Sequence, residues 1–407
     1  MLPEPAFRPP GPPDCSTPLL WGPMSTSRTL GALTALSALL MACAPAATED
    51  AATAPEAQSS AATPTNASLD RPLPAAPGPQ VCGDIASLST RDKLAQLLMV
   101  GVSNAADAQA AVTDHKVGGI MIGSWTDKSM LGAPLAQIAA SATALPLGVS
   151  VDEEGGRVSR LSGLIGSQPP ARVLAETKTP DEVYGIALER GRAMRGLGIT
   201  VDFAPVVDLT QESAAIGDRS FGDDPETVTQ YAGAYARGLR DAGVLPVLKH
   251  FPGHGRAAGD SHTGAVSTPP LAELQASDLV PYRTLVNQPP VAVMVGHMQV
   301  PGLTGGEQAS LSPAAYGLLR NEFGFGGVVF TDDLSSMAAI NQQYGVAEAV
   351  LKSLQAGADI ALWITTAEVP AVLDRLEQAV ASGELSQAKV DDSLRRVAAS
   401  KGPNPNC

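Results

Sequence analysis

From Leu98 to Ile364 the chain alternates short apolar runs with longer stretches in which apolar residues recur at helical spacing. The runs are Leu98–Val102, Gly119–Ile122, Leu147–Val151, Val201–Val206, Val244–Leu248, Val291–Val295, Gly327–Phe330 and Ala358–Ile364. Each has the length of a strand, and most are apolar at successive positions. That is the pattern of parallel strands covered on both faces. Between them the spacing predicts helices. Ser89 reads as an N-cap with Asp92 three residues on, ahead of Leu94, Leu97 and Leu98, and Val390, Leu394 and Val397 share one helix face. Eight such strands alternating with helices in a region of this length predict a single closed (β/α)8 TIM-type barrel, with an open doubly wound sheet as the alternative. No G-x-G-x-x-G follows the first run, which argues against dinucleotide binding.

The first 81 residues do not share this pattern. Met24-Ser-Thr-Ser-Arg28 precedes an apolar run from Leu30 to Ala42 that ends at Leu40-Met41-Ala42-Cys43. A charged start, a short apolar core and small residues before a cut site describe an export signal. The run falls short of the roughly 18 apolar residues that a spanning helix needs. The Leu-x-Ala-Cys ending resembles a bacterial lipobox, which makes Cys43 the expected lipidated residue. Residues 1–23 are proline-rich and precede Met24, the expected initiator. From Ala44 to about Gln80 the chain is Ala, Pro, Thr and Ser with almost no large apolar residue, as in a flexible tether. The expected organisation is therefore a signal and lipobox segment at 1–43, a tether at 44–81 and a catalytic barrel at 82–407. The protein is expected to be exported and either anchored on the outer side of a bacterial membrane or secreted.

Composition adds exclusions rather than identity. A net charge of −14 over 407 residues argues against nucleic acid as a partner, since that needs a basic face. Of four cysteines, Cys15 precedes the expected start and Cys43 would carry lipid. Cys82 and Cys407 then bracket the barrel and are expected to pair in an oxidising compartment.

Polar residues concentrate where the apolar runs end. Asp152-Glu153-Glu154-Gly155-Gly156-Arg157 ends the third, with Arg160 just beyond; Asp208 and Gly217-Asp218-Arg219-Ser220 follow the fourth. Lys249-His250-Phe251-Pro252-Gly253-His254-Gly255 ends the fifth, with Asp260-Ser261-His262 close behind. Gly296-His297 ends the sixth and Thr331-Asp332-Asp333 the seventh. In a barrel all these ends open on one face, so charges spread along the sequence converge on one pocket.

The chemistry of that set is specific. Three of only five histidines fall in one glycine-rich segment. Asp260 and His262 flank a single residue, so the carboxylate can orient the ring and raise its proton affinity. Asp332 at a strand end suits a nucleophile, a metal ligand or a helix cap, and Asp333 beside it is the better cap. A carboxylate nucleophile with a separate acid/base is the retaining glycosidase scheme, here with His262 in place of the usual second carboxylate. Asp152, Arg160, Arg219, Lys249 and His250 suit the hydroxyls of a sugar. His250-x-x-x-His254 has the spacing of a metal pair on a helix, but Pro252 and Gly253 disfavour that helix, and no further ligand spacing completes a zinc site. No metal or other cofactor is expected.

Taken together, Val151–Arg160, Ile216–Phe221, Lys249–Gly255, Asp260–His262 and Thr331–Leu334 resemble glycoside hydrolase family 3, and within it the single-domain bacterial β-N-acetylglucosaminidases. The resemblance covers about residues 85 to 400. It implies Asp332 as nucleophile, His262 as acid/base with Asp260 as its partner, and sugar contacts from Asp152, Arg160, Arg219, Lys249 and His250. It also implies a metal-independent reaction on a terminal GlcNAc, with a GlcNAc-containing glycan or muropeptide as the expected partner. Two departures stand out: Glu153 replaces the usual glutamine, and Asp333-Leu334-Ser335-Ser336-Met337 is one residue longer than the usual Asp-Leu-Ser-Met. The readings to be separated by assay are a β-glucosidase of the same family, transfer to phosphate instead of water, and a carbohydrate-binding lipoprotein without turnover.

Overall fold

The computed structural model describes residues 85–210 and 215–401. Cys43, Cys82, Cys407, the signal segment and the tether lie outside the described residues. Among the described residues ten strands run in chain order: β1 Leu98–Val102, β2 Gly119–Ile122, β3 Gly148–Val151, β4 Val201–Asp202, β5 Leu245–Phe251, β6 Val266–Ser267, β7 Ala292–Val295, β8 Met298–Gln299, β9 Val329–Asp333 and β10 Ile360–Trp363. Eight of them close a parallel barrel in the order β1-β10-β9-β7-β5-β4-β3-β2, while β6 and β8 form a separate parallel pair. The expected (β/α)8 architecture is the one observed, and the open sheet is excluded by the β1–β10 pairing of Leu98 with Ala361.

The barrel strands are buried along almost their whole length, as their uniform apolarity predicts. The interior is packed with side chains; Phe203 and Phe330 meet edge-on with ring centroids 5.5 Å apart. The fourth expected strand is shorter than its apolar run. Regular pairing stops at Asp202, and the chain continues beside β5 through an isolated bridge between Val206 and Lys249. The seventh begins and ends later than expected, at Val329 and Asp333, so Asp332 lies inside a strand.

Local signals explain the helices. Ser89 Oγ accepts from the Asp92 N–H and starts the helix Thr90–Ala95. Thr179 and Glu182 form a capping box at the helix Pro180–Gly196, and Asp224 caps Pro225–Asp241. These two long helices approach closely because Gly238 has no side chain: a Cβ there would lie 2.5 Å from the Tyr184 carbonyl oxygen.

At the N-terminal end of β10 the buried carboxylate of Asp359 gathers four donors. It accepts from Arg320 Nη2 at 2.5 Å, the Val329 N–H at 2.9 Å, Ser393 Oγ at 2.8 Å and Arg396 Nε at 2.8 Å. One group thus ties β9, β10, the segment Leu318–Glu322 and the last helix, Gln387–Ser400, at the barrel end opposite the site. Removing one partner of such a buried pair leaves uncompensated charge, at a cost of about 3–5 kcal/mol. Asp359→Ala is therefore expected to lower the urea midpoint and Tm by that order while leaving turnover per folded molecule unchanged.

Candidate active site

The C-terminal strand ends frame a cavity of about 250 Å³. Its wall includes every sequence-predicted catalytic or sugar-contacting residue: Asp152, Arg160, Arg219, Lys249, His250, Asp260, His262 and Asp332. They come from the segment after β3, from the segment after β4, from β5, from the loop after β5 and from β9. The barrel thus unites groups that the sequence holds 180 residues apart, counting from Asp152 to Asp332.

Strand registers explain how neighbouring residues reach one cavity. Along a regular strand successive side chains point to opposite faces. In β5 the pairing steps from Leu248↔Val293 to Phe251↔Val295, so three residues of β5 span two of β7. The irregularity falls on Lys249 and His250, and both line the cavity. In β9 it recurs: Phe330↔Ile360 is followed by Asp333↔Leu362, placing the extra residue at Thr331–Asp332. Bulges re-aim side chains in this way.

A buried charge cluster forms the floor. Lys249 Nζ lies 2.6 Å from Asp152 Oδ1 and 2.6 Å from Glu154 Oε1. Arg219 forks onto the same Glu154 carboxylate, Nε to Oε2 at 2.7 Å and Nη2 to Oε1 at 2.8 Å. Burial opposes the Lys249 charge, but the Asp152 and Glu154 carboxylates outweigh it and hold its pKa above the ordinary value. Burial would likewise raise Glu154, yet Arg219 and Lys249 hold its carboxyl well below the usual carboxylate range.

Asp208, fully buried, organises the histidines. It accepts from His250 Nδ1 at 2.7 Å and from the His254 N–H at 2.6 Å, and both its oxygens lie 3.3 Å from the His250 N–H. A carboxylate on Nδ1 fixes the proton there and leaves Nε2 of His250 as an acceptor, 3.4 Å from Arg219 Nη2. Asp332 is buried. Burial alone would raise its pKa; the imidazoles of His250 and His297, the Asp333 N–H at 2.9 Å and Lys249 together bring it below the ordinary value. A buried carboxylate kept ionised is chemically poised to attack. On the loop after β5, His262 Nδ1 meets Asp260 Oδ1 at 2.7 Å, and the Asp260 pKa is lowered: burial raises it, but the His262 N–H and ring outweigh that. Nε2 of His262 is thereby left for proton exchange.

Asp333 braces the turn after β9 and is not the expected helix cap: its carboxylate accepts from the N–H groups of Ser335 and Ser336 and from both hydroxyls, whereas the next helix, Ala338–Asn341, has Met337 at its N-cap with no side-chain bond. Glu153 turns away from the cavity into the core, where it accepts from Ser159 Oγ, the N–H groups of Arg160 and Leu161, and Arg190. Sequence reasoning missed two residues that shape the site, Glu154 and Asp208. The strand period was the available signal for the first. It places residues 152 and 154 on one side and 153 on the other. Asp208 was marked only by a carboxylate within Val206-Val207-Asp208-Leu209.

Residues 89–400 match the model of the glycosyl hydrolase family 3 N-terminal domain. The chain is 60% identical over 396 residues to the β-hexosaminidase LpqI of Mycobacterium tuberculosis (strain ATCC 25618 / H37Rv), covering 94% of this chain and all of the relative. A crystal structure of a family 3 glycosyl hydrolase from Mycobacterium smegmatis is 75% identical, with a TM-score of 0.78, over 79% of this chain and 99% of that one. A family 3 β-N-acetylglucosaminidase from Paenibacillus sp. is 36% identical, with a TM-score of 0.74, over 77% of this chain and 62% of that one.

The floor cluster has a signature in acid. A carboxylate whose folded-state pKa is depressed contributes stability above its unfolded value, 4.5 for Glu154, and loses it as pH falls below that. Asp208 and Asp332 carry shifts of the same sign. The urea midpoint is expected to fall as pH drops from about 5 toward 2. In Glu154→Gln that slope should be shallower, with a lower midpoint at neutral pH. An unchanged slope would show that Glu154 is not held ionised by its two cations.

Proposed function

The chain belongs to glycosyl hydrolase family 3, and from that premise we propose that it is an exo-acting β-N-acetylglucosaminidase that removes terminal GlcNAc with retention of configuration. The observation that carries this reading is the meeting of Asp332 and the Asp260–His262 pair on one cavity of about 250 Å³. Ligand cavities typically run from about 300 Å³ upward, so this one suits a single sugar ring rather than a length of chain.

In the proposed reaction a carboxylate oxygen of Asp332 attacks the anomeric carbon while the bond to the leaving oxygen breaks. His262 Nε2 donates its proton to that oxygen, with Asp260 stabilising the ring. A water then enters, His262 takes its proton, and the hydroxide displaces Asp332. Two inversions return the original configuration. Asp152, Arg160, Arg219, Lys249 and His250 bind the hydroxyls, and Glu154 and Asp208 hold those groups in place. Peptidoglycan fragments are the proposed natural source of the GlcNAc.

The remaining proposals concern where the enzyme works. Lipidation of Cys43 after removal of the preceding segment would anchor the barrel on the outer side of the membrane, with residues 44–81 as its tether. A Cys82–Cys407 disulfide would close the catalytic region of residues 82–407.

Substrate assays, variant kinetics and lipid labelling test these readings. A chromogenic β-GlcNAc glycoside should be cleaved far faster than the matching β-glucoside, with the β-anomer released first by NMR. Asp332→Ala and His262→Ala should each lower kcat by at least about a hundredfold without unfolding. Preference for the glucoside would move the chain to the β-glucosidase branch, no turnover of either would favour a binding protein, and near-wild-type activity of either variant would overturn the site assignment. For the anchor, palmitate labelling and membrane fractionation of the expressed protein should both be lost in Cys43→Ala. Labelling that persists would exclude Cys43 as the attachment point.

A further inference from the structure

The proposed acid/base stands on the least supported part of the site. The side chains of Asp260 and His262 are 35% and 60% exposed, and Gly253, Gly255, Gly259 and Gly264 lie along the same loop. Such a segment has few apolar contacts of its own to fix it. A proton donor nevertheless has to meet its oxygen at hydrogen-bond distance in the reacting complex.

The residue between them is placed quite differently. Ser261 is only 3% exposed. Its carbonyl oxygen accepts from the Ala339 N–H at 3.1 Å. Its hydroxyl lies 3.3 Å from His254 Nε2 and 3.9 Å from Met337 Sδ. Both contacts are satisfied together when His254 carries its proton on Nε2 and donates to Oγ, while the hydroxyl donates to sulfur. Each of these partners is itself fixed. The His254 N–H is held by Asp208, the residue that also holds His250. The Ala339 carbonyl accepts from the buried Gln308 Nε2 at 2.9 Å. Met337 and Ala339 follow the turn that Asp333 wraps around Ser335 and Ser336, the turn that is one residue longer than the resemblance led one to expect. The Asp333 carbonyl in turn lies 2.8 Å from His297 Nε2.

We infer that Ser261 is a positioning residue: it seats the Asp260–His262 pair by pinning the middle of its loop to His254 and to the segment that follows Asp332. The attachment makes the proton carrier and the nucleophile share one frame, although one comes from a loop and the other from strand β9. Gly255 belongs to the same device. A Cβ there would lie 2.1 Å from the Leu209 carbonyl oxygen, so the loop leaves His254 in close contact with the segment that bears Asp208.

This inference rests on the assignment of His262 as acid/base, and the test separates the two. Wild type, Ser261→Ala, Ser261→Thr and Asp260→Ala are compared on two β-GlcNAc substrates, one with a dinitrophenyl leaving group and one with an alkyl leaving group. The first needs almost no proton donation, and its burst of released phenolate reports the glycosylation step alone. Ser261→Ala should keep the burst rate and KM close to wild type but lose between about tenfold and a hundredfold in kcat/KM on the alkyl glycoside. Ser261→Thr, which keeps the hydroxyl, should restore much of it, and Asp260→Ala should show the same selective loss. Gln308→Ala, outside the cavity wall and linked to Ser261 through two hydrogen bonds by way of Ala339, should give a weaker version and serves if Ser261→Ala does not fold. Equal losses on both substrates, a loss confined to KM, or none would overturn the positioning role. If instead His262→Ala retains turnover on the alkyl glycoside, the acid/base assignment fails and not merely its seat.

Discussion

The Glu154 carboxylate is the interaction on which the site depends. Lys249 is buried, Arg219 is largely so, and the two are close enough to oppose each other's charge. Two adjacent cations in a low-dielectric floor are not tolerated unless an anion is shared between them. Glu154 is that anion, with Asp152 on the outer side of Lys249. Held in this way, the cations keep fixed directions and remain charged donors, which suits the proposed binding of sugar hydroxyls. The cluster also sets the field around Asp332. Lys249 is among the groups that offset the burial of that carboxylate. The proposed sugar-binding floor and the ionisation of the proposed nucleophile are therefore one electrostatic arrangement.

The second constraint is backbone geometry. A parallel barrel offers its cavity only alternate residues of each strand, yet this site uses Lys249 and His250 together. The three-for-two pairing of β5 with β7 makes that possible, and β9 does the same against β10 around Asp332. Regular secondary structure builds the frame, and two departures from it aim the chemistry.

This division explains what could be read from the sequence. Apolar runs located all eight barrel strands, because burial on both faces leaves a compositional trace. The charged residues at their ends identified the wall of the cavity, because the fold brings those ends to one face. The bulges left no such trace, since Lys249-His250 and Thr331-Asp332 read as ordinary ends of apolar runs. Glu154 was hidden by its neighbours. In Asp152-Glu153-Glu154, identity alone does not say which carboxylates face the cavity, and the structure sends Glu153 to Arg190 instead. Asp208 was hidden because its task is to hold two other side-chain segments, a role that exists only once β5 lies beside it.

A retaining hydrolase makes opposed demands on its two catalytic groups. The nucleophile has to be shielded, so that its charge is not spent on water. The acid/base has to meet water, since it activates a water molecule in the second half of the reaction. The burial of Asp332 and the exposure of His262 match those demands, but exposure removes the packing that would otherwise fix the histidine. The structure resolves the conflict by separating support from chemistry along three consecutive residues. Asp260 and His262 face the cavity and solvent, while Ser261 is buried and bonded to the frame that carries Asp332. The short Asp-Ser-His sequence thus has a physical reason for its spacing. One residue between the carboxylate and the imidazole lets the two meet, and that one residue, buried against His254 and the segment after Asp332, holds them both.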